Sequence, residues 1–337
     1  MSLYSVGDMS QIHQLRRHSS ELKSHATRLA DEMTTGAKAD TGAAVRGDFT
    51  ALAGVERALA SLGSFAIVTA EATQFAATQQ VALGTVATLL GEAGPMLLSA
   101  STSTNPAVIA AATGDAAQKF ATIIAALNTN TAGRYSFAGT ASDTRPLAPA
   151  EDILAALGAA TAGETTVSGY IAALEAWFDA PAGNGGYLDA AYDGGASLAP
   201  FPIASGERVE IATTAAAPEV RDLLKGMALG AMISQGAMAD DVSARAALTR
   251  AAGDMTMSAA GAATALAARV GSIEAQIDDC ATRNSAETAA LGIARTAMTA
   301  ADPYDTATAL EAVQAQIETL YTLTARLSAL KLTDYLR

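Results

Sequence analysis

Cysteine is nearly absent. Cys280 is the only one in 337 residues, so no intrachain disulfide can form and a disulfide-stapled secreted fold is excluded. Aromatic residues make up only 5% of the chain, too few for a thick globular core. Basic residues are scarce as well: 21 Lys and Arg stand against 34 Asp and Glu, a net charge of −13. With no basic cluster, nucleic acid and anionic membrane surfaces are excluded as partners. The most apolar window, residues 223–239, is broken by Lys225 and Gln235 and falls short of the roughly 20 residues that a membrane span needs. It reads as a buried helix. The start, "MSLYSVGDMSQIHQLRR", has no basic segment followed by an unbroken apolar run, so no conventional signal peptide is expected.

Half of the chain is nevertheless apolar, and much of that is alanine, the strongest helix former, which favours thin, closely packed helices. Charge is unevenly spread. Residues 1–60 are balanced at 7 basic and 7 acidic groups, whereas residues 61–206 carry 3 basic against 11 acidic. The ends of the chain are thus suited to packing and the middle to water.

Both ends carry heptad patterns. Ile12, Leu15, Ser19, Leu22, Ala26, Leu29 and Met33 alternate spacings of three and four until Gly36. Near the other end, Asp302 and Pro303 form a cap and first-turn pair, and Leu320, Leu323, Leu327 and Leu330 repeat the alternation. The pattern alone fits either a pairing inside a monomeric bundle or assembly between subunits.

Between the ends, residues 48–90 read as a long alanine-rich helix that Gly94 and Pro95 are expected to kink or stop. Asn105 and Pro106 restart a helix, which ends where "NTNTAGRYSFAGT" begins at residue 128. Gly133 suits the exit from a helix, and Arg134, Tyr135 and Phe137 then read as an extended segment with both aromatic rings on one side. Residues 141–206 are rich in glycine and proline and read as loops and short strands. Val209 and Ile211 alternate as a returning strand, expected to pair with the strand at 135–137.

No catalytic constellation emerges. His13, His18 and His25 all lie in the first helix, and a spacing of seven separates the last two by about 10.5 Å along the axis, too far to chelate one metal. Asp240 with Asp241, and Asp278 with Asp279, read as polar helix faces because adjacent helical residues diverge. "GNGG" at 183–186 lacks the ending of a phosphate loop and reads as a turn. Cys280 has no histidine near it in sequence, and Trp177 with Phe178 reads as local core. The chain is read as a non-enzyme without cofactor or metal.

The specific stretches resemble one family. "NTNTAGRYSFAGT", the first helix "LRRHSSELKSHATRLADEMTTG", the return segment "GERVEIATTAAAPEVRDLLKGMAL" and above all the closing "LSxLxLxDYL" pattern at Leu327–Leu336 are similar to the bacterial flagellar hook-filament junction proteins, the third hook-associated proteins of the flagellin superfamily. Residues 37–49 lack the Asp-Asp or Asp-Pro signature of that superfamily, and residues 141–206 show no resemblance. The resemblance implies a mainly α fold: an elongated flagellin-like helical-bundle stem built from both chain ends, with a small inserted β-containing domain. In that scheme residues 1–45 and 295–337 are axial coiled-coil segments, disordered in the monomer. Residues 46–140 and 207–294 form the stem, and 141–206 the outward-facing insert.

The assembly seam implied is Ile12, Leu15, Leu22, Leu29, Met33, Leu320, Leu323, Leu327 and Leu330. Arg134, Tyr135, Phe137, Val209 and Ile211 mark the stem-to-insert junction. The resemblance further implies an extracellular place in the bacterial flagellum, reached by type III export without a cleaved signal peptide. The implied partners are a hook-side junction protein, flagellin, and further copies of the protein in a ring, with an export chaperone at an exposed Leu320–Leu330 stripe. The rival readings are a flagellin filament subunit and, from another class, a helical-bundle binding or signalling module.

Overall fold

A computed structural model describes the backbone of residues 6–335 and the side chains of residue 10 and residues 13–326. The fold is mainly α. In sequence order it comprises α1 (Val6–Thr35), α2 (Thr41–Ala44), α3 (Thr50–Ser101), α4 (Pro106–Leu127), β1 (Asn130–Thr131), β2 (Arg134–Tyr135), α5 (Ala150–Thr161), α6 (Val167–Asp179) and α7 (Tyr187–Ala190). There follow β3 (Phe201–Ala204), β4 (Glu207–Val209), α8 (Pro218–Ser234), α9 (Val242–Thr299) and α10 (Pro303–Tyr335). Two compact units result. One contains residues 1–62 and 286–337, the other residues 63–285, so the boundary falls inside both α3 and α9.

Helix ends follow from local chemistry. Gly36 takes φ +69° directly after α1, a left-handed position that costs glycine little. Asn105 accepts from the Ala107 N–H at 3.0 Å and Asp302 from the Tyr304 N–H at 2.8 Å, each with proline next in sequence. Asp241, read above as part of a polar face, accepts from the N–H groups of Ser243 and Ala244 (2.8 and 3.0 Å) and so caps α9.

The expected break at Gly94 and Pro95 does not occur: α3 runs through Pro95 to Ser101. The proline removes one backbone donor, while packing holds the helix on both sides of it. Leu90, Ala93 and Leu97 are all buried. At Gly94 a Cβ would lie 2.8 Å from Met257 Cγ, and at Gly253 one would lie 3.0 Å from the Leu98 nitrogen, so α3 and α9 approach closely where a glycine of one helix faces a large residue of the other. By length and composition α3 is also the one described helix apolar enough to cross a membrane, in place of residues 223–239. Alanine and glycine raise its hydropathy without adding bulk. Its inner face lies in a protein core with Phe75, Leu83, Val86 and Leu90.

Residues 141–206 hold, besides their loops, three helices and the first strand of a short hairpin; the helices form because Ile153, Leu157, Leu174 and Phe178 recur at helical spacing on buried faces. These side chains belong to the same hydrophobic cluster as Phe120, Ile123 and Leu127 of α4 and Leu223, Leu224 and Leu229 of α8. The α8 helix is buried from Leu223 through Ile233 apart from Lys225, whose ammonium reaches Asp179 and Asp222 at 2.9 and 2.6 Å.

Small residues let these helices approach closely. A Cβ on Gly226 would lie 2.7 Å from the Thr256 nitrogen and 3.0 Å from the Ala252 carbonyl oxygen, whereas one on Gly84 would meet nothing within 4 Å. Gly226→Ala is therefore expected to destabilise the protein by about 1–3 kcal/mol through overpacking, despite alanine's helix preference. Gly84→Ala is expected to stabilise it by up to about 1 kcal/mol. Urea denaturation of the two variants checks the opposite signs.

Candidate assembly surface and insert junction

The first candidate surface lies in the unit that contains both chain ends. The turn after α1 and the turn from α9 into α10 are joined by two backbone hydrogen bonds, Lys38 N–H to Thr299 O at 2.8 Å and Ala301 N–H to Gly36 O at 3.0 Å, around an antiparallel bridge between Ala37 and Ala300. Helices α1 and α10 then run back along each other. Leu22, Leu29 and Val313 form a small buried cluster, with Ala26, Ala309, Leu310 and Ile317 packed on it. Lys23 Nζ lies 5.6 Å from the ring centroid of Tyr321, a cation–π contact across the same pair.

Of the seam residues named from sequence, Leu22 and Leu29 lie in this contact, Leu15 is half-buried and Met33 is exposed. Leu320 is buried, so the C-terminal stripe is not exposed throughout. Leu323 is 49% exposed and stands off the seam. The physical reason is register. The positions that face α1 run Leu310, Val313, Ile317, Leu320, two of them buried and two partly so, a series that continues at Thr324 and leaves Leu323 one step around the helix. The side chains of Ile12, Leu327 and Leu330 lie outside the described residues. Leu310, Val313 and Ile317 were missed although they repeat at three and four, because the leucines at 320–330 drew attention one turn too late.

The second candidate is the junction where the backbone leaves α4. Asn130 to Tyr135 form a hairpin whose two central residues, Ala132 and Gly133, take φ +53° and +84°, the sign pattern of a type I′ turn. The Asn130 carboxamide oxygen accepts from the Gly133 N–H at 2.9 Å. The strand at 134–135 therefore pairs with β1, and Val209 pairs with Phe201 in the β3–β4 hairpin. The expected pairing of 135–137 with 209–211 is replaced by these two local hairpins, whose short loops close at much lower entropy cost.

The outgoing and returning segments do meet a few residues later. The Ala215 N–H donates to Phe137 O at 2.9 Å. Gln79, fully buried on α3, donates its carboxamide N–H groups to Ser136 O and Thr213 O at 2.8 Å each. Phe137, Val209 and Ile211 are buried, and Tyr135 is half-buried. Arg134 pairs with Glu71 of α3, its guanidinium 5.7 Å from the Phe75 ring centroid. Asn128 clamps the segment beyond the hairpin, donating to Leu147 O and accepting from Leu147 N–H at 2.9 Å each. Gln79 and Asn128 were missed; a polar residue at a helix position otherwise buried was the available signal for the first.

The remaining sequence candidates take structural places. His18 is exposed, 3.9 Å from Glu21, and among the described residues no group of three His, Cys, Asp or Glu side chains is arranged to hold a metal ion. Cys280 is buried with its Sγ 3.3 Å from Ile203 O. Trp177 and Phe178 meet edge-on at 5.0 Å, and Tyr187 stacks on Phe178 while donating to Ala215 O at 3.0 Å. Burial raises the Tyr187 hydroxyl far above its ordinary pKa, so it stays a neutral donor.

Residues 254–336 match the family described as the bacterial flagellin C-terminal helical region. A solved structure from Vibrio parahaemolyticus, assigned to a flagellar hook-associated protein, is similar at 14% identity and a TM-score of 0.47, over 72% of this chain and 94% of that one. No curated protein matches. The C-terminal part of the chain is thus similar to the flagellin C-terminal helical region.

The seam makes a direct contrast. Leu29→Ala is expected to cost about 2–3 kcal/mol by emptying a buried contact, and Leu323→Ala to stay within about 0.5 kcal/mol. Equilibrium unfolding followed by the helical circular dichroism signal distinguishes them.

Proposed function

From a flagellin-like C-terminal region, we propose that the protein is a structural adaptor joining the flagellar hook to the flagellin filament. The observation that carries this reading is the antiparallel pairing of the two chain ends through a narrow apolar seam at Leu22, Leu29 and Val313. Two helices of 30 and 33 residues that share so thin a seam leave most of their surface available for lateral and axial packing against further copies. The partners are then a hook-side junction protein, flagellin, and copies of the protein in a ring. A chaperone that covers the C-terminal helix before assembly fits the half-exposed Leu323 and Tyr321. Export proceeds through the type III apparatus to the cell exterior. In this reading residues 1–45 and 295–337 are the axial segments, and residues 141–206 face outward.

A filament subunit is the second reading, because the matched family description is that of flagellin itself. Deletion of the gene separates the two. Bare hooks in electron micrographs, with flagellin monomers in the medium, are expected of a junction protein. Bare hooks without shed flagellin would indicate the filament subunit, and normal filaments would overturn both.

A further inference from the structure

The loop that precedes α7 carries a chemistry independent of assembly. Residues 183–186 read Gly-Asn-Gly-Gly, and Asn184 is exposed. An asparagine followed by glycine is prone to attack by its own backbone, because a residue without Cβ leaves the nucleophilic nitrogen unhindered. Here that nitrogen is engaged. The Gly185 N–H donates to Asp189 Oδ2 at 2.7 Å, and the Gly183 N–H donates to both carboxylate oxygens at 2.8 and 3.0 Å. Positive φ at Gly183 (+90°) and Gly185 (+72°) curls the loop around the carboxylate. The amide of Gly183, followed by that of Gly185, holds Asp189 below the usual carboxylate pKa, so it is ionised at neutral pH.

We propose that Asn184–Gly185 is a spontaneous modification site that the Asp189 carboxylate holds closed. In the reaction the Gly185 nitrogen gives its proton to solvent base and attacks Asn184 Cγ. A new bond from that nitrogen to Cγ closes a succinimide ring as the Cγ–Nδ2 bond breaks, and the departing amide takes up a proton to leave as ammonia. Water then adds to one of the two ring carbonyls and opens the ring to aspartate or isoaspartate, with no change of oxidation state.

Asp189 opposes the first step in two ways. The N–H must leave a charge-assisted hydrogen bond, and the nitrogen anion would form beside a carboxylate of like charge. Either product adds a second carboxylate to the loop, and isoaspartate also inserts a methylene into the backbone, so that in this product the Gly183 and Gly185 amides no longer converge on Asp189. The site is a one-way record of time spent with the loop open.

The full-length protein, Asp189→Asn and Asp189→Ala are incubated in mildly alkaline buffer, with the unsubstituted protein in urea as reference. The peptide around residue 184 is followed by mass spectrometry and by isoaspartate-specific methylation, and circular dichroism reports the folded state of each sample. Asp189→Ala is expected to react about tenfold faster than the native protein, which corresponds to the loss of one charge-assisted hydrogen bond. Asp189→Asn, which keeps an acceptor but no charge, is expected to fall between them, and the protein in urea to react at least as fast as Asp189→Ala. A folded Asp189→Asn variant that reacts no faster than the native protein would overturn the role of the carboxylate. A native rate equal to that in urea would overturn the closed loop, and absence of product in urea would overturn the site.

Discussion

The antiparallel contact between α1 and α10 is the constraint on which the unit containing both chain ends depends. It joins segments separated by nearly the whole sequence, and everything from Ala37 to Ala300 becomes the connection between its two strands of the bridge. Loop-closure entropy grows only with the logarithm of length, so such a closure is affordable even across a sequence this long. The contact itself is thin. Among the described large side chains of the two helices, only Leu22, Leu29, Val313 and Leu320 are buried. Contacts with further copies would bury more of both helices, which is why the adaptor reading and the thin seam belong together.

The other compact unit solves a different problem. With few aromatic residues, its helices gain contact by approaching closely instead of by interleaving large side chains. Gly94 and Gly253 bring α3 and α9 together, and Gly226 brings α8 against α9 at Thr256. The larger side chains are concentrated where the inserted segment joins this core, at Trp177, Phe178 and Tyr187, and the polar clamps at Gln79 and Asn128 fix the backbone that leads there. The junction is thus held by hydrogen bonds to backbone carbonyls more than by sheet pairing, and its strands remain short.

Helical class and helix punctuation were legible in the sequence, because alanine content, Gly36, Asn105–Pro106 and Asp302–Pro303 act locally. Leu22 and Leu29 were legible from their period. The C-terminal register was not: Leu310, Val313, Ile317 and Leu320 repeat as well as Leu320 to Leu330, and only the position of the partner helix selects between them. The continuation of α3 through Pro95 was hidden because a proline's local penalty is visible in sequence and the packing that outweighs it is not. The helices of residues 141–206 were obscured by the glycine-rich turns between them. The two hairpins were misjudged because a long-range pairing was preferred to turns that Ala132–Gly133 and Ser205–Gly206 close locally.

The most direct measurement is amide hydrogen exchange on the isolated full-length protein and on a form truncated after residue 302. If α10 is what holds α1, residues 22–33 are expected to be protected in the full-length protein and to exchange as unstructured peptide in the truncated one, while protection in residues 63–285 is unchanged. Equal protection of residues 22–33 in both forms would contradict the account, because α1 would then be held by something other than the pairing of the two ends.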